Sequence, residues 1–299
     1  MTEKSKTLVK RSTALIKFNP KARKELVIRG LTALDEVRDA DFYFFKGEEH
    51  RINEEFSQAI ENYEKAIELD PKVADYYYYL GISQYYIDEY VYWDTENFKK
   101  AIELNPEVAD YHYCFGRAQY HFDEEEAIEP YKKAIELDPN IADYYYYLGV
   151  AQEYLGECRL DDSDILLYES AIDNCKKAIE LDPKVADYYY TLGEAQYELG
   201  LYEDAVENFK EVIELSPTHA YYYRELGRAQ YKLSLYKDAV ESFKKSIELC
   251  SHDTHDEIYS YTKLAECYEK MGLEHLELEC FDKIDSLEEI RRESRRGNR

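Results

Sequence analysis

The stretch Ala178-Ile-Glu-Leu-Asp-Pro-Lys-Val-Ala-Asp-Tyr-Tyr-Tyr-Thr-Leu-Gly-Glu-Ala-Gln-Tyr-Glu-Leu-Gly200 constrains this chain most, because close copies recur between residues 66 and 233. Each copy closes one helix with Ala-Ile-Glu-Leu or a near variant, stops at a proline, and opens the next helix on an alanine followed by aromatic residues. Ala74, Ala109, Ala142, Ala186 and Ala220 open the copies, at spacings of 35, 33, 44 and 34 residues. A two-helix unit of that length cannot bury its apolar side alone, so the copies must stack on one another.

Within the copy opened by Ala186, Tyr189, Leu192, Gln196 and Leu199 fall on one helical face. Tyr202, Ala205, Val206, Phe209, Val212, Ile213 and Leu215 make the stripe of a second helix, which Ser216-Pro217 ends. Proline disfavours helical dihedrals in the residue before it yet suits a first turn. The same stop recurs as Asp70-Pro71, Asn105-Pro106, Asp138-Pro139 and Asp182-Pro183. Gly81, Gly116, Gly149, Gly193 and Gly227 recur inside the first helices, each at a cost of about 1 kcal/mol against alanine. Their recurrence predicts close approach of a neighbouring helix.

These residues resemble the tetratricopeptide repeat family over about residues 33–288. The likeness lies in the large aromatic of the first helix (Tyr77, Tyr145, Tyr189, Tyr223, with His112 in its place once), the Leu-Gly pair, and the alanine of the second helix (Ala59, Ala127, Ala171, Ala205, Ala239). Asp94 replaces that alanine once, Cys175 replaces the second-helix aromatic, and Gln84, Gln119, Gln152, Gln196 and Gln230 stand where the family usually has a tyrosine. The resemblance implies an all-α superhelix of about seven helical hairpins, the first and last atypical, with a concave groove lined by the first helices.

Charge is unevenly placed within the net −26. Residues 1–30 hold nine Lys/Arg against two Glu, and residues 291–299 hold five Arg against one Glu, so the body between them is strongly acidic. An acidic body argues against general binding of a phosphate backbone and favours basic partners. The expected layout is a basic arm over 1–20, the repeat domain over 21–288 and a basic tail over 289–299. Six cysteines without CxxC spacing read as reduced thiols of a cytoplasmic protein. Neither a signal peptide nor an apolar run long enough to span a membrane is expected.

The irregular stretches give further expectations. Residues 21–46 read as the first helix of an atypical leading repeat, with Gly47–Asn53 as a long turn. Pro130 sits early in its helix, where lost backbone donation is cheap within the first turn, and ten extra residues between Gly156 and Ala171 read as a helix extension with an exposed acidic turn. Asp161, Asp162 and Asp164 lack the glycine and glutamate of a calcium loop. Cys250, His252 and His255 read as a polar loop rather than part of a four-ligand zinc site. With no Gly-rich phosphate loop and no His-Glu-x-x-His, no catalytic residues, metal or cofactor are expected.

Tyrosine is the informative residue type: of 33, 22 lie in the five first-helix segments. Tyr77, Tyr145 and Tyr189 are expected to pack inward. By the family's geometry Tyr78, Tyr113, Tyr146 and Tyr190 fall on the groove side, with Asp75, Asp110, Asp143 and Asp187 one turn earlier. Such carboxylates favour a helix N-terminus, and a ladder of carboxylates and rings also suits Lys or Arg of a bound peptide. Some family members clamp a chaperone C-terminus with Lys and Asn. The corresponding pairs here are Tyr78/Ile82, Tyr113/Arg117, Tyr146/Val150, Tyr190/Glu194 and Arg224/Arg228, which leaves only Arg224, Arg228 and Lys232 as an anion-holding end. The function expected is a non-enzymatic scaffold binding a protein segment through Asp75, Tyr78, Asp110, Tyr113, Arg117, Asp143, Tyr146, Asp187, Tyr190, Arg224 and Arg228. RNA association through the basic ends and a structural subunit of a larger assembly are the other readings.

Overall fold

The computed structural model describes residues 27, 39–87, 95–158, 164–250 and 254–297. Among them are fourteen helices and no strand. The chain divides into two compact units, Met1–Pro139 and Asn140–Arg299. The first holds α1 (Ala40–Ile52), α2 (Phe56–Leu69), α3 (Ala74–Ile87), α4 (Thr95–Leu104), α5 (Ala109–Tyr120) and α6 (Glu124–Leu137). The second holds α7 (Ala142–Cys158), α8 (Asp164–Leu181), α9 (Ala186–Glu198), α10 (Tyr202–Leu215), α11 (Ala220–Lys232), α12 (Tyr236–Leu249), α13 (Thr254–Met271) and α14 (Glu274–Gly297).

Each odd-numbered helix packs on the even-numbered one that follows it. The glycine in the first helix makes that contact possible. A Cβ on Gly193 would stand 2.7 Å from the Phe209 ring, and one on Gly227 would stand 2.8 Å from Phe243. Gly81 faces Phe98 and Gly116 faces Tyr131 in the same way. Gly149 faces the Cys175 Sγ, so the cysteine fills the aromatic's place. These rings and the repeated alanines Ala59, Ala127, Ala171, Ala205 and Ala239 are fully buried. The substituted glutamines bridge the same helix pairs: Asn97, Asn174 and Asn208 donate to the side-chain oxygens of Gln84, Gln152 and Gln196 at 2.7–2.9 Å.

The leading hairpin is more regular than its sequence suggests. Residues 47–52, expected as a turn, belong to α1, which opens at Ala40 with its N-cap Asp39 accepting from the Phe42 amide at 3.0 Å. Ala40-Asp41 is therefore another copy of the opening, and a Cβ on Gly47 would lie 2.7 Å from Tyr63. The helix expected from residue 21 falls, before Asp39, on residues outside the described ones except Val27. Pro130 lies in the second turn of α6, not its first, and packs near Gly116. The long spacing after Ala142 goes partly into longer helices, 17 residues in α7 and 18 in α8 against 13 in α9 and 14 in α10. Asp161, Asp162 and His252 lie outside the described residues, as does the basic segment 1–26. In the second unit α14 carries the last hairpin on to Gly297.

Tyrosine register is the main correction to the core. Two residues after each opening alanine, Tyr76, Tyr111, Tyr144, Tyr188 and Tyr222 are buried, and in α3 Tyr79 is buried as well. Tyr77, Tyr145 and Tyr189, expected inside, are only half-buried one residue further round. The hydroxyls of Tyr77, Tyr189 and Tyr223 donate to the carbonyls of Pro71, Pro183 and Pro217 at 3.2 Å. Their rings thereby tie each connection to the helix it introduces. At 100° per residue, a one-position change of register moves a ring from the stack to the turn.

Candidate functional site

The first helices of successive hairpins carry the aspartates and tyrosines of interest, and a single contact organises them. In the first unit Tyr76 donates to Asp41 at 3.0 Å, and Tyr111 donates to Asp75. In the second, Tyr188 donates to Asp143 at 2.6 Å, and Tyr222 bonds Asp187. Each aspartate thus accepts from the buried tyrosine of the following hairpin, rather than pairing with the tyrosine three residues on in its own helix. Burial raises the Asp75 carboxyl above its usual range while the Tyr111 bond pulls it down. Burial and the Asp143 charge hold the Tyr188 hydroxyl far above the ordinary phenol range, so it stays a donor.

The groove-side tyrosines lean on the same buried rings. Tyr78 packs on Tyr111 with ring centres 5.0 Å apart, and Tyr146 packs on Tyr188 at 4.9 Å. Tyr190 meets Tyr221 at 4.8 Å, Tyr222 at 5.9 Å and Phe209 at 6.1 Å. All three are half-buried. In the first unit Tyr113 packs on Tyr131 at 6.2 Å, and the Arg117 guanidinium stands about 6 Å from the rings of both Tyr85 and Tyr113. Asp110 is half-buried on that helix.

The second unit departs from the expected anion-holding end. Arg224 Nε and Nη1 lie 2.8 Å from Glu225 and 2.5 Å from Asp256, and its guanidinium stands 5.4 Å over Tyr259. Arg228 bonds Glu225, lies 3.7 Å from Glu194 and 3.8 Å from Glu198, and stacks 4.4 Å over Tyr197. Both guanidiniums are taken up by carboxylates, so this end is not a free cationic surface. Burial and Glu225 push Glu194 up to about 8, and burial with Glu157 and Glu198 pushes Glu153 up to about 7.

Glu153, Glu194, Glu198 and Glu225 were absent from the expected contact residues. Counting positions finds two of them: Glu194 and Glu198 stand four and eight residues after Tyr190, on the same helical face. Among the described residues no three His, Cys, Asp or Glu are placed to hold a metal ion, and no helix is long and apolar enough to cross a membrane.

Family models described as TPR repeat and tetratricopeptide repeat match residues 47–86, 124–156, 168–200 and 190–254. No curated protein matches the chain. Among solved structures, the C-terminal part of a TPR repeat-containing protein from Cytophaga hutchinsonii is similar at 19% identity, with a TM-score of 0.65 over 82% of this chain and 95% of that one. PilF of Pseudomonas aeruginosa is similar at 19% identity and a TM-score of 0.53, over 72% of this chain and 91% of that one. MamA of Desulfovibrio magneticus gives 21% identity and a TM-score of 0.53, over 60% and 95%. These structures share the fold, while the repeated glycine, alanine and aromatic positions and the family models agree along most of the described length. The chain belongs to the tetratricopeptide repeat family, whose members are in general non-catalytic scaffolds for protein partners.

Proposed function

We propose that this chain is a non-enzymatic scaffold whose repeat region, residues 21–288, binds a segment of a partner protein along the face that the first helices form within each unit. The observation that supports the reading is the recurring knot of Asp143, Tyr188 and Tyr146, repeated as Asp75, Tyr111 and Tyr78. It holds a half-buried ring at a constant place in successive hairpins. Rigid tyrosines give large contact area at low cost in rotamer freedom. Contact is assigned to Tyr78, Tyr113 and Arg117 in the first unit, and to Tyr146, Tyr190, Arg224 and Arg228 in the second. Asp75, Asp110, Asp143 and Asp187 border them, and these carboxylates favour a partner segment carrying Lys or Arg.

Site-specific photo-crosslinking tests this directly. A benzophenone amino acid replaces Tyr146 on the first-helix face, or Tyr236 at the start of the second helix α12. The partner that wild-type protein retains should be captured from position 146 and not from position 236. Capture from 236 alone would reject the reading.

A further inference from the structure

We propose that α7, α9 and α11 form a recess, centred on Glu194 and bordered by Tyr190 and Tyr197, that takes the guanidinium of an arginine side chain from the partner. The proposal rests on the reading of the first-helix face as a binding surface and gives it a specific chemical key. Glu194 is 8% exposed, and its buried Oε1 has no hydrogen-bond partner. Native structures seldom leave such an oxygen unmatched without a role for it. The charges around it do not balance. Glu153, Glu194, Glu198, Glu225 and Asp256 face two guanidiniums, Arg224 and Arg228, and the Lys232 ammonium acts on Glu198.

Arg224 is committed to Glu225 and Asp256. Arg228 makes its close bond to Glu225 and reaches Glu194 and Glu198 only at 3.7 and 3.8 Å, beyond hydrogen-bond range. One further cation with donors is what the cluster lacks. A planar guanidinium fits better than a point charge, because its forked donors can serve Glu194 and Glu198 together. The stack of Arg228 4.4 Å over Tyr197 shows that these rings accept that group.

The recess also links binding to protons. Glu194, at about 8, faces Glu225 and Arg228 from α11, Glu153 from α7, and Glu198 from its own helix. Glu153 stands at about 7, and Glu198 is also raised, chiefly by burial. The hydroxyls of Tyr190, Tyr197 and Tyr221, raised by burial, remain neutral, and both arginines remain charged. A guanidinium entering near neutral pH displaces protons from the carboxyls into solution, and its binding tightens as pH rises.

The test titrates acetyl-Gly-Arg-Gly-amide into the full chain at about pH 6 and about pH 8.5, limits that bracket the raised carboxyls. The same peptide with neutral citrulline in place of arginine is the control. Ligand-observed NMR reads the dissociation constants. Arginine should bind at least about tenfold more tightly at the higher pH, a difference of about 1.4 kcal/mol, and the citrulline peptide should show no such gain. Glu194→Gln, checked for unchanged helicity, should flatten the pH dependence. If that variant is poorly folded, Glu153→Gln should reduce the pH dependence while keeping arginine binding. Equal affinity at both pH values, equal binding of citrulline, or an unaltered pH profile in a folded Glu194→Gln would overturn the recess. With partner capture at position 146 intact, that result would remove the arginine key and leave the scaffold reading in place.

Discussion

The Tyr188 hydroxyl of α9 donates to the Asp143 carboxylate of α7 across 2.6 Å, joining two hairpins through the residues that open them. Tyr188 is buried while Asp143 is exposed, so the bond fastens a core ring to the rim of the preceding repeat. Tyr188→Phe should lower stability to urea by about 1.5–3 kcal/mol, the range for a hydrogen bond to a charged group. Tyr189→Phe, which removes a donor to the Pro183 carbonyl, should cost about 1 kcal/mol or less. Equal losses in the two variants would show that the hairpin-to-hairpin bond carries no special weight.

Gly193 is required by contact, not by backbone dihedrals. Gly193→Ala gains about 1 kcal/mol of helix propensity, but its Cβ would lie 2.7 Å from the buried Phe209 ring. Overpacking of that kind costs about 1–3 kcal/mol, so the variant should be less stable by about 1 kcal/mol. Adding Phe209→Leu should recover part of the loss specific to Gly193→Ala, and a double-mutant cycle measures the coupling. Additive losses would place the glycine's role elsewhere.

Helix pairing was legible because the chain states it several times over: each Leu-Gly, buried alanine and Asp-Pro stop repeats at nearly fixed spacing. The tyrosine runs were less legible. Four successive rings, as in Tyr144 to Tyr147, go most of the way round a helix, and composition alone does not say which one enters the stack. The choice of Tyr144 and Tyr188 depends on where the preceding hairpin presents its surface, which is a long-range property. Ala40-Asp41 was readable as a repeat opening but hidden by the phenylalanines after it. The Glu194 cluster was hidden for another reason. Arg224 and Arg228 look like free cations until Glu225, Asp256, Glu194 and Glu198 from three helices are brought around them.

The carboxyls of that cluster predict an unusual pH dependence. Unfolded Glu releases its proton near pH 4.3, whereas Glu153 and Glu194 keep theirs up to about 7 and about 8. Between these limits the folded state binds more protons, so their stabilising contribution is fully present below the unfolded value and is lost as pH rises through 7 and 8. The melting temperature should fall by a few degrees between about pH 6 and pH 8.5. Glu194→Gln, neutral throughout, should show a shallower fall and a higher melting temperature at the alkaline end. Parallel curves for the two proteins would count against the raised Glu194.

Thiol reactivity separates the cysteines by burial. Cys158 is exposed, whereas Cys175 and Cys267 are fully buried, with burial pushing Cys267 up to about 12 and Cys175 higher still. Iodoacetamide followed by peptide mass mapping should label Cys158 first, and label Cys175 and Cys267 only on unfolding, because the thiolate is the reacting form. Early labelling of Cys175 would mean that the α7–α8 hairpin opens readily.

Whether the first-helix face binds the partner is decided by the affinity of a Tyr146→Leu/Tyr190→Leu double variant. Leucine keeps apolar volume against Tyr188 and Phe209, the rings on which these tyrosines rest, while removing the aromatic surface and hydroxyl. Two contacts at a binding hot spot are worth on the order of 1–2 kcal/mol each, so partner affinity should fall at least about tenfold while helicity by circular dichroism stays at the wild-type level. A folded double variant that binds the partner as tightly as wild type would contradict the account and return these tyrosines to a purely structural role.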